Sequence, residues 1–318
     1  MDQITPIISI STSFLQRRCP DDGYAMMAKA RELGYKYVEL GHSLPVTLID
    51  GIVKAVGEGV VKICSLHNFC PMPVYALGPT PNLFSPSTKN AGESSQWQRY
   101  TRNTVELAGQ LGARAVVAHS GALSRLFFNP GRKLGKYLDG APISQFQPSP
   151  QFQKDVEKFR AKTAERAMAK DYKFLAKNLE EISDFCVERG VYIGIENREG
   201  RTELPLDWTF KELFSEIGSI ACVKAWHDVG HSKIKELEHL YEQQRLIEDT
   251  LEYIGGWHIH DCDADAHDHI GLGDGCIDFR ALRKYFDPQK HIFTLELSGK
   301  VTSAKAADSL KFFEDLLS

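Results

Sequence analysis

Short apolar runs alternate along this chain with longer segments in which apolar residues recur at helical spacing. The first pair is representative. Residues 7–11 form an apolar, β-branched run, and Tyr24 to Leu33 has helical spacing and is followed by Gly34, a common residue at a helix C-terminus. The alternation predicts eight strands, at residues 7–11, 37–40, 60–66, 115–118, 191–195, 220–226, 254–259 and 292–297.

Helical segments separate these strands and give the element order of a parallel β/α fold. We predict helices at residues 24–33, 46–56, 100–111, 208–217, 234–253, 279–285 and 304–317, and interpret residues 152–188 as two helices. No change of composition marks a linker, and eight is the number of β/α units that closes a barrel. The sequence therefore predicts a single (β/α)8 TIM-barrel domain over residues 1–318. A long insertion after strand 4, at residues 120–150, is interpreted as a loop or lid over the barrel mouth.

Composition restricts the class of protein without choosing its activity. The chain is 42% hydrophobic and 25% charged, as in globular proteins, and no apolar run approaches the ~20 residues of a membrane helix. The N-terminal residues lack a basic and apolar signal segment, so we expect a cytoplasmic protein without membrane contact. Seven cysteines without a Cys-x-x-Cys pair argue against a disulfide framework. The net charge of −4 gives no general attraction to nucleic acid, and a homo-oligomer is left open.

Histidines collect where the predicted strands end. Of the eleven in the chain, His239 and His291 lie elsewhere, and the other nine lie at or just beyond a strand end. These nine are His42, His67, His119, His227, His231, His258, His260, His267 and His269. Barrels of this type build their active sites from the C-terminal ends of the strands and the loops that follow them. The distribution therefore predicts a functional site at this rim.

The last four predicted strands end in a set of metal-ligand residues. The densest stretch, residues 257–261, contains His258 and is followed by a glycine loop at residues 271–275. The ends of the other three strands contribute Glu196, Asp228 and Glu296. Burying such groups together is costly unless a cation compensates their charge. Three carboxylates and one imidazole suit a divalent ion such as Mn²⁺, Mg²⁺, Co²⁺ or Zn²⁺.

The order of these motifs, from His67 to Glu296, resembles the xylose isomerase-like TIM barrels. That family includes sugar and sugar-phosphate isomerases and epimerases, inosose dehydratases and endonuclease IV. The resemblance implies a metal site made by Glu196, Asp228, His258 and Glu296. It also implies that Glu196 and Glu296 move the proton during catalysis.

The endonuclease branch of the family implies two or three ions. By that resemblance His67 and His119 would hold an additional ion together with Glu196. A third ion would be held by His231 and His269 with the residue two positions before His269. That residue is His267 here, where the endonuclease pattern has aspartate.

Four more residues at the rim are candidates for substrate binding, and each has an alternative interpretation. His42 would contact substrate or support a ligand from behind, and His260 would be a supporting group or a ligand itself. Arg198 and Lys300 would bind hydroxyls or a phosphate, or would be solvated loop charges. Glu39 is interpreted as a solvated or salt-bridged barrel residue.

Three alternatives remain open from the sequence, and two of them are enzymes. The first is a metal-dependent isomerase or epimerase of a sugar or sugar phosphate, in which the ion stabilises an enediolate and a carboxylate transfers the proton. The second is a phosphoesterase or endonuclease with several ions, acting on abasic DNA or another phosphodiester. The insertion favours nucleic acid in the second case, because basic and aromatic residues are interleaved without an acid. These residues are Arg125, Leu126, Phe127, Phe128, Arg132, Lys133, Lys136 and Tyr137. A metal-binding barrel without turnover is the third alternative.

Overall fold

Eight parallel strands close into a barrel in the computed structural model, which describes residues 6–76, 78, 81–123, 131–140 and 142–318. Each strand pairs with the next, and the last pairs with the first through the register Ser9 to Thr294. The strands are β1 Ile7–Ser11, β2 Tyr37–Leu40, β3 Lys62–His67, β4 Ala115–Ala118, β5 Tyr192–Glu196, β6 Val223–Asp228, β7 Ile254–Ile259 and β8 Ile292–Leu295. The predicted (β/α)8 fold is confirmed.

Helices surround the barrel and cover the outward faces of its strands. They are α1 Thr12–Leu15, α2 Gly23–Glu32, α3 Ile49–Gly57, α4 Ala91–Gln110, α5 Arg132–Leu138, α6 Pro150–Arg166, α7 Tyr172–Glu188, α8 Phe210–Ile217, α9 Val229–Leu237, α10 Gln243–Thr250, α11 Phe279–Leu282 and α12 Ser303–Leu317. A π-helical segment, Ala167–Asp171, joins α6 to α7, so the two helices predicted for residues 152–188 are confirmed. Within the described ranges, no helix is both long and apolar enough to cross a bilayer.

Two helix predictions were wrong in their bounds. Helix α4 starts at Ala91 and not near residue 100, because the Asn90 side chain caps it by accepting from the backbone N–H groups of Gly92 and Glu93. The segment predicted as one helix at 234–253 is two helices, α9 and α10. Helix α9 is capped by Asp228 and ends before His239, which has a left-handed φ of 55°.

The barrel interior changes from apolar to polar along the strands. Its apolar layer contains Cys64, Ala115, Val117, Trp226 and Ile292. Ideal β-carbons at Gly194 and Gly256 would lie 2.9 Å and 2.3 Å from the Trp226 ring, so glycine at these positions makes room for the indole. Towards the strand C-termini the interior becomes polar, with fully buried Ser9, Glu39, Ser65, His258 and Thr294. This polar layer is the floor of the candidate site.

The insertion after β4 is partly helical and contacts two rim loops. Its described part contains α5 and a 3₁₀ turn, Ile143–Gln145. Arg201, from the loop after β5, forms an ion pair of 2.9 Å with Asp139. Asp265, from the loop after β7, accepts from the Ser144 hydroxyl at 2.6 Å. The predicted basic and aromatic residues 125–128 lie outside the described residues, so their part of the nucleic-acid hypothesis stays a prediction.

Candidate metal centre

Four side chains from consecutive strands meet at the barrel mouth. One ligand atom from each of Glu196, Asp228, His258 and Glu296 lies within 4.8 Å of the others. The Nδ1 atom of His258 is 2.8 Å from a Glu196 oxygen, 3.1 Å from a Glu296 oxygen and 3.7 Å from an Asp228 oxygen. Three of the side chains are fully buried, and Glu296 is 13% exposed. The structure therefore brings the four predicted ligands together.

Electrostatics in this cluster favours ionised carboxylates beside a charged imidazole. Burial opposes the charge of His258, but Glu296, Glu39 and Glu196 outweigh it and hold the His258 pKa well above its ordinary value. Burial likewise opposes ionisation of Glu296, but His258 and His269 lower its pKa to about 2. The cluster therefore concentrates negative charge where a cation would compensate it.

Asp228 is oriented by two groups besides any ion. Its Oδ1 accepts the backbone N–H of His231 at 2.7 Å, which caps α9. The Nε2 of His260 lies 3.0 Å and 3.1 Å from its two oxygens. The Nδ1 of His260 accepts the backbone N–H of His269 at 2.9 Å, so its proton must be on Nε2. Both His260 nitrogens are thus occupied within the protein, which favours a supporting role for this residue over ligation or substrate contact.

A second cluster is formed by His67, His119 and Glu196. The Nδ1 atoms of the two histidines face oxygen acceptors, the Asn68 carbonyl at 3.1 Å and the Asn82 side chain at 3.0 Å. Their Nε2 lone pairs therefore face the same Glu196 oxygen, at 3.5 Å and 3.0 Å. The buried Nε2 of His119 has no aligned hydrogen-bond partner. Lone pairs that face a carboxylate oxygen are the arrangement a cation would bridge.

A third cluster contains His231 and His269, but not His267. The two Nε2 atoms lie 3.8 Å and 3.7 Å from an Asp268 oxygen, and that of His231 also lies 2.8 Å from a Glu199 oxygen. Their Nδ1 atoms face backbone carbonyls, at 3.1 Å from Asn197 and 2.7 Å from Glu296.

His267 lies away from the cluster, with a side chain that is 76% exposed. The carboxylate of Asp263 accepts from its backbone N–H at 3.0 Å and lies 2.9 Å from its Nδ1. The left-handed residues Ala266 and His269 turn the chain on either side of it, with φ of 66° and 53°. Asp268, which the sequence analysis did not select, lies where His267 was expected.

Comparison with known proteins identifies the family. Residues 27–316 match the model of the xylose isomerase-like TIM barrel family. The chain belongs to this family. An uncharacterized protein of Methanocaldococcus jannaschii is 29% identical over 127 residues, which are 40% of this chain. The matched part spans about half, 47%, of the length of that curated relative.

Solved structures of sugar epimerases have the same fold as this family member. An L-ribulose 3-epimerase has a TM-score of 0.65 and 16% identity, over 98% of this chain and 94% of that chain. A 3-keto-D-glucoside 4-epimerase from E. coli has a TM-score of 0.64 and 14% identity, over 98% and 99% of the two chains. A D-psicose 3-epimerase from Clostridium cellulolyticum H10, solved with D-tagatose, has a TM-score of 0.65 and 11% identity, also over 98% and 99%. At these identities the likeness shows the fold.

The residues present fit the divalent ion that the family implies. The first cluster offers three carboxylates and one imidazole, and a fourth carboxylate, Glu39, lies behind the imidazole at 3.1 Å. Hard oxygen donors with one nitrogen suit Mn²⁺, Mg²⁺, Co²⁺ or Zn²⁺. Four nearly inaccessible carboxylates beside one imidazole would be costly without a further cation.

The predicted substrate-binding residues are divided between the site and its edge. His42 lies beside the second cluster, with its ring centroid 4.9 Å from that of His67. Burial and, to a smaller extent, the neighbouring His67 lower the pKa of His42 to about 3. Arg198 donates to Glu196 at 3.1 Å and is 12% exposed. Lys300 is exposed and lines a separate cavity of about 830 Å³ together with His267 and Asp268. The structure brings His42 and Arg198 to the site and leaves Lys300 at its edge.

Glu39 is the main site residue that the sequence interpretation missed. It is fully buried and contacts His258, so it is not a solvated barrel residue. Strand alternation contained the signal: Val38 and Leu40 face the outer core, so Tyr37 and Glu39 face the barrel interior.

Proposed function

We propose that this chain is a divalent-metal-dependent isomerase or epimerase of a sugar or sugar phosphate. The observation that carries the proposal is the meeting of Glu196 and Glu296, from β5 and β8, at the same imidazole nitrogen of His258. Two carboxylates that share a metal position are suited to take a proton from a substrate carbon and to return it. The fold that this chain shares with solved keto-sugar epimerases supports the same reaction class.

The two glutamates have different surroundings and therefore different roles. A divalent ion bound here would polarise the carbonyl and hydroxyl oxygens of a ketose and acidify the adjacent C–H. Glu296 is the more exposed of the two, so we assign removal of the proton to its carboxylate. Glu196 is fully buried and accepts from Arg198, so we assign to it the return of the proton. His260, whose Nε2 contacts both oxygens of Asp228, keeps Asp228 oriented throughout.

Metal content and proton exchange test this function. Protein purified without added metal should contain one divalent ion per chain by elemental analysis. In D₂O it should exchange a carbon-bound proton of at least one ketose or ketose phosphate in a panel followed by NMR. Glu196→Gln and Glu296→Gln should each abolish the exchange and keep a native circular dichroism spectrum, since both side chains lie above the packed barrel layers. A variant that retains more than about a tenth of the exchange would remove that glutamate from its assigned role.

An endonuclease IV-like phosphoesterase is the second candidate, and one observation favours it. His67, His119, His231 and His269 all direct Nδ1 at an oxygen acceptor, which turns each Nε2 towards a carboxylate oxygen that a cation could bridge. For His231 that oxygen belongs to Glu199, at 2.8 Å. The four histidines are more prepared ligands than one ion requires. A phosphoesterase clamps its substrate between ions about 3.5 to 4 Å apart.

The double variant His67→Ala/His119→Ala separates the two candidates. For the isomerase, the parent should hold one ion, and the double variant should keep it. For the phosphoesterase, the parent should hold two or three ions and cleave an abasic-site duplex, and the double variant should lose one ion together with the cleavage. Proton exchange into a sugar with unchanged ion stoichiometry would exclude the phosphoesterase.

A further inference from the structure

Glu39 is a carboxylate that the proposed chemistry does not use, although it lies in the floor of the site. It belongs to β2, far along the chain from the four metal-ligand residues, and is completely buried. Its Oε1 lies 3.1 Å from the Nε2 of His258. Its Oε2 accepts from the hydroxyls of Ser65 at 2.7 Å and Thr294 at 3.3 Å. The Ser9 hydroxyl in turn donates to Thr294 at 2.9 Å, which completes a buried polar layer.

Two hydroxyl donors do not offset the cost of burying a carboxylate. That cost stays high even after the protein relaxes, and each hydrogen bond recovers only part of it. The imidazole N–H of His258 supplies the remaining contact. A carboxylate can only accept, so the contact requires Nε2 of His258 to carry a proton.

We infer that Glu39 is a positioning residue that fixes the tautomer of His258 and thereby raises the affinity of the site for its divalent ion. Because Nε2 keeps its proton, Nδ1 is the nitrogen that would give up its proton when an ion binds, and it faces the oxygens of Glu196 and Glu296. The negative charge of Glu39 also makes the imidazole a stronger donor to a metal. This inference rests on the metal site of the proposed function.

A purely structural role for Glu39 makes a different prediction. If the residue only fills the polar layer, any variant that disturbs the layer should weaken metal binding through general loosening. Ser65→Ala is the matched control, because it removes the 2.7 Å hydrogen bond to Glu39 and leaves the carboxylate facing His258. Glu39→Gln is nearly isosteric and keeps an oxygen acceptor, but it removes the charge. Both variants are first checked for parental circular dichroism and thermal unfolding.

The first measurement is the dissociation constant for Zn²⁺, obtained by competition with a chelator. Glu39→Gln should bind about tenfold to hundredfold more weakly than the parent, as expected when the outer partner of a ligating histidine is lost. Ser65→Ala should bind with an affinity close to that of the parent. Parental affinity in Glu39→Gln, or an equal loss in both variants, would overturn the inference.

The second measurement is the ¹⁵N NMR spectrum of histidine-labelled protein loaded with Zn²⁺. The His258 signals should show a protonated Nε2 and a metal-bound Nδ1 in the parent and in Ser65→Ala. In Glu39→Gln a second set of His258 signals should appear, from molecules in which the proton is not held on Nε2. A metal-bound Nε2 in the parent would overturn the inference while leaving the metal site intact. A parent that binds no Zn²⁺ would instead overturn the proposed function, and this inference with it.

Discussion

Gly230 lies in the Asp228 to His231 segment at a point where a side chain would collide with a group that supports the site. An ideal β-carbon at this position would lie 1.9 Å from Cε1 and 2.4 Å from Nδ1 of His260. Real β-carbons do not approach heavy atoms so closely, so the ring would have to move. The Nε2 of His260 contacts both oxygens of Asp228, so the small size of Gly230 is connected to the orientation of a proposed metal ligand.

Replacing Gly230 should therefore affect metal binding more than folding. In Gly230→Ala the displaced His260 should release Asp228, and metal affinity should fall by about tenfold to hundredfold, since an outer partner of a ligand is lost. Gly57→Ala in α3 is the control, because nothing lies within 4 Å of its ideal β-carbon. That control should keep the parental metal affinity and gain up to about 1 kcal/mol of stability. Equal metal affinity in the two variants would contradict the role of Gly230.

At the scale of elements, the helices and loops that follow the strands carry both ligands and caps. Asp228 ends β6 and caps α9, so the same carboxylate begins a helix and faces the metal position. In the loop after β7, a single carboxylate likewise makes several contacts. The side chain of Asp261 accepts from the backbone N–H groups of Gly273, Gly275 and Ile277, which fixes the glycine loop predicted from the sequence.

The π-helical segment contains a carboxylate whose ionisation opposes folding. Burial raises the pKa of Asp171 to about 6, against the weaker effects of Arg166 and Lys170, and its Oδ2 has no hydrogen-bond partner. Because the folded pKa lies above the unfolded one, near 3.8, stability should be lost as pH rises from about 4 to above 6. Asp171→Asn should remove that loss and be about 1 to 3 kcal/mol more stable than the parent at pH 8. Urea unfolding at pH 8 and pH 5 checks this, and a difference that does not shrink at pH 5 would contradict it.

The insertion is expected to act as a lid or recognition segment and not as part of the barrel. Its described contacts to the loops after β5 and β7 include the polar pairs Arg201–Asp139 and Ser144–Asp265, whereas Leu134 and Leu138 of α5 are buried among apolar side chains. Removing one polar pair should therefore loosen the segment and leave the core folded. Arg201→Ala removes the ion pairs with Asp139 and Glu238. Limited proteolysis should then cut faster within residues 120–150, while thermal unfolding changes by no more than about 3 °C. Lys211→Ala, which removes an exposed pair with Asp249, is the control. A large loss of thermal stability would mean that the segment contributes to the core.

For the whole molecule, closure of the barrel concentrates charge that a bound ion should stabilise. The contributing strands are far apart in sequence, and the contact between Glu39 and His258 joins residues 219 positions apart. An ion that binds only the folded chain adds about 2.7 kcal/mol at a free concentration of 100 times its Kd. For a chain of this length that corresponds to a Tm increase of about 5 °C. Scanning calorimetry with Zn²⁺ and with a chelator measures the difference. A tight metal site would be contradicted if the parent had the same Tm with Zn²⁺ and with the chelator, and if Asp228→Asn had that Tm as well.

The sequence by itself determined the number and order of the β/α units and the four residues of the first cluster. Both follow from local patterns, because strand and helix periodicities are visible within a few residues and the site of a parallel barrel lies at its strand ends. Thus Glu196, Asp228, His258 and Glu296 could be selected without knowing any distance between them. The residues at the strand ends were informative because the strand itself fixes the direction of their side chains.

Only the tertiary structure decided which side chains contact and orient the residues of the first cluster. The sequence placed His260 and His267 equally near the site, but the turn through Ala266 directs His267 to solvent, and His260 occupies both of its nitrogens inside. Glu39 was interpreted as a solvated or salt-bridged barrel residue, and the sequence could not name its ion-pair partner, because His258 comes from a strand on another part of the barrel. The physical reason is that hydrogen bonds and tautomers depend on side-chain positions to within a few tenths of an ångström. A sequence pattern predicts which face of a strand a side chain lies on, and only the closed barrel determines which other side chains it contacts.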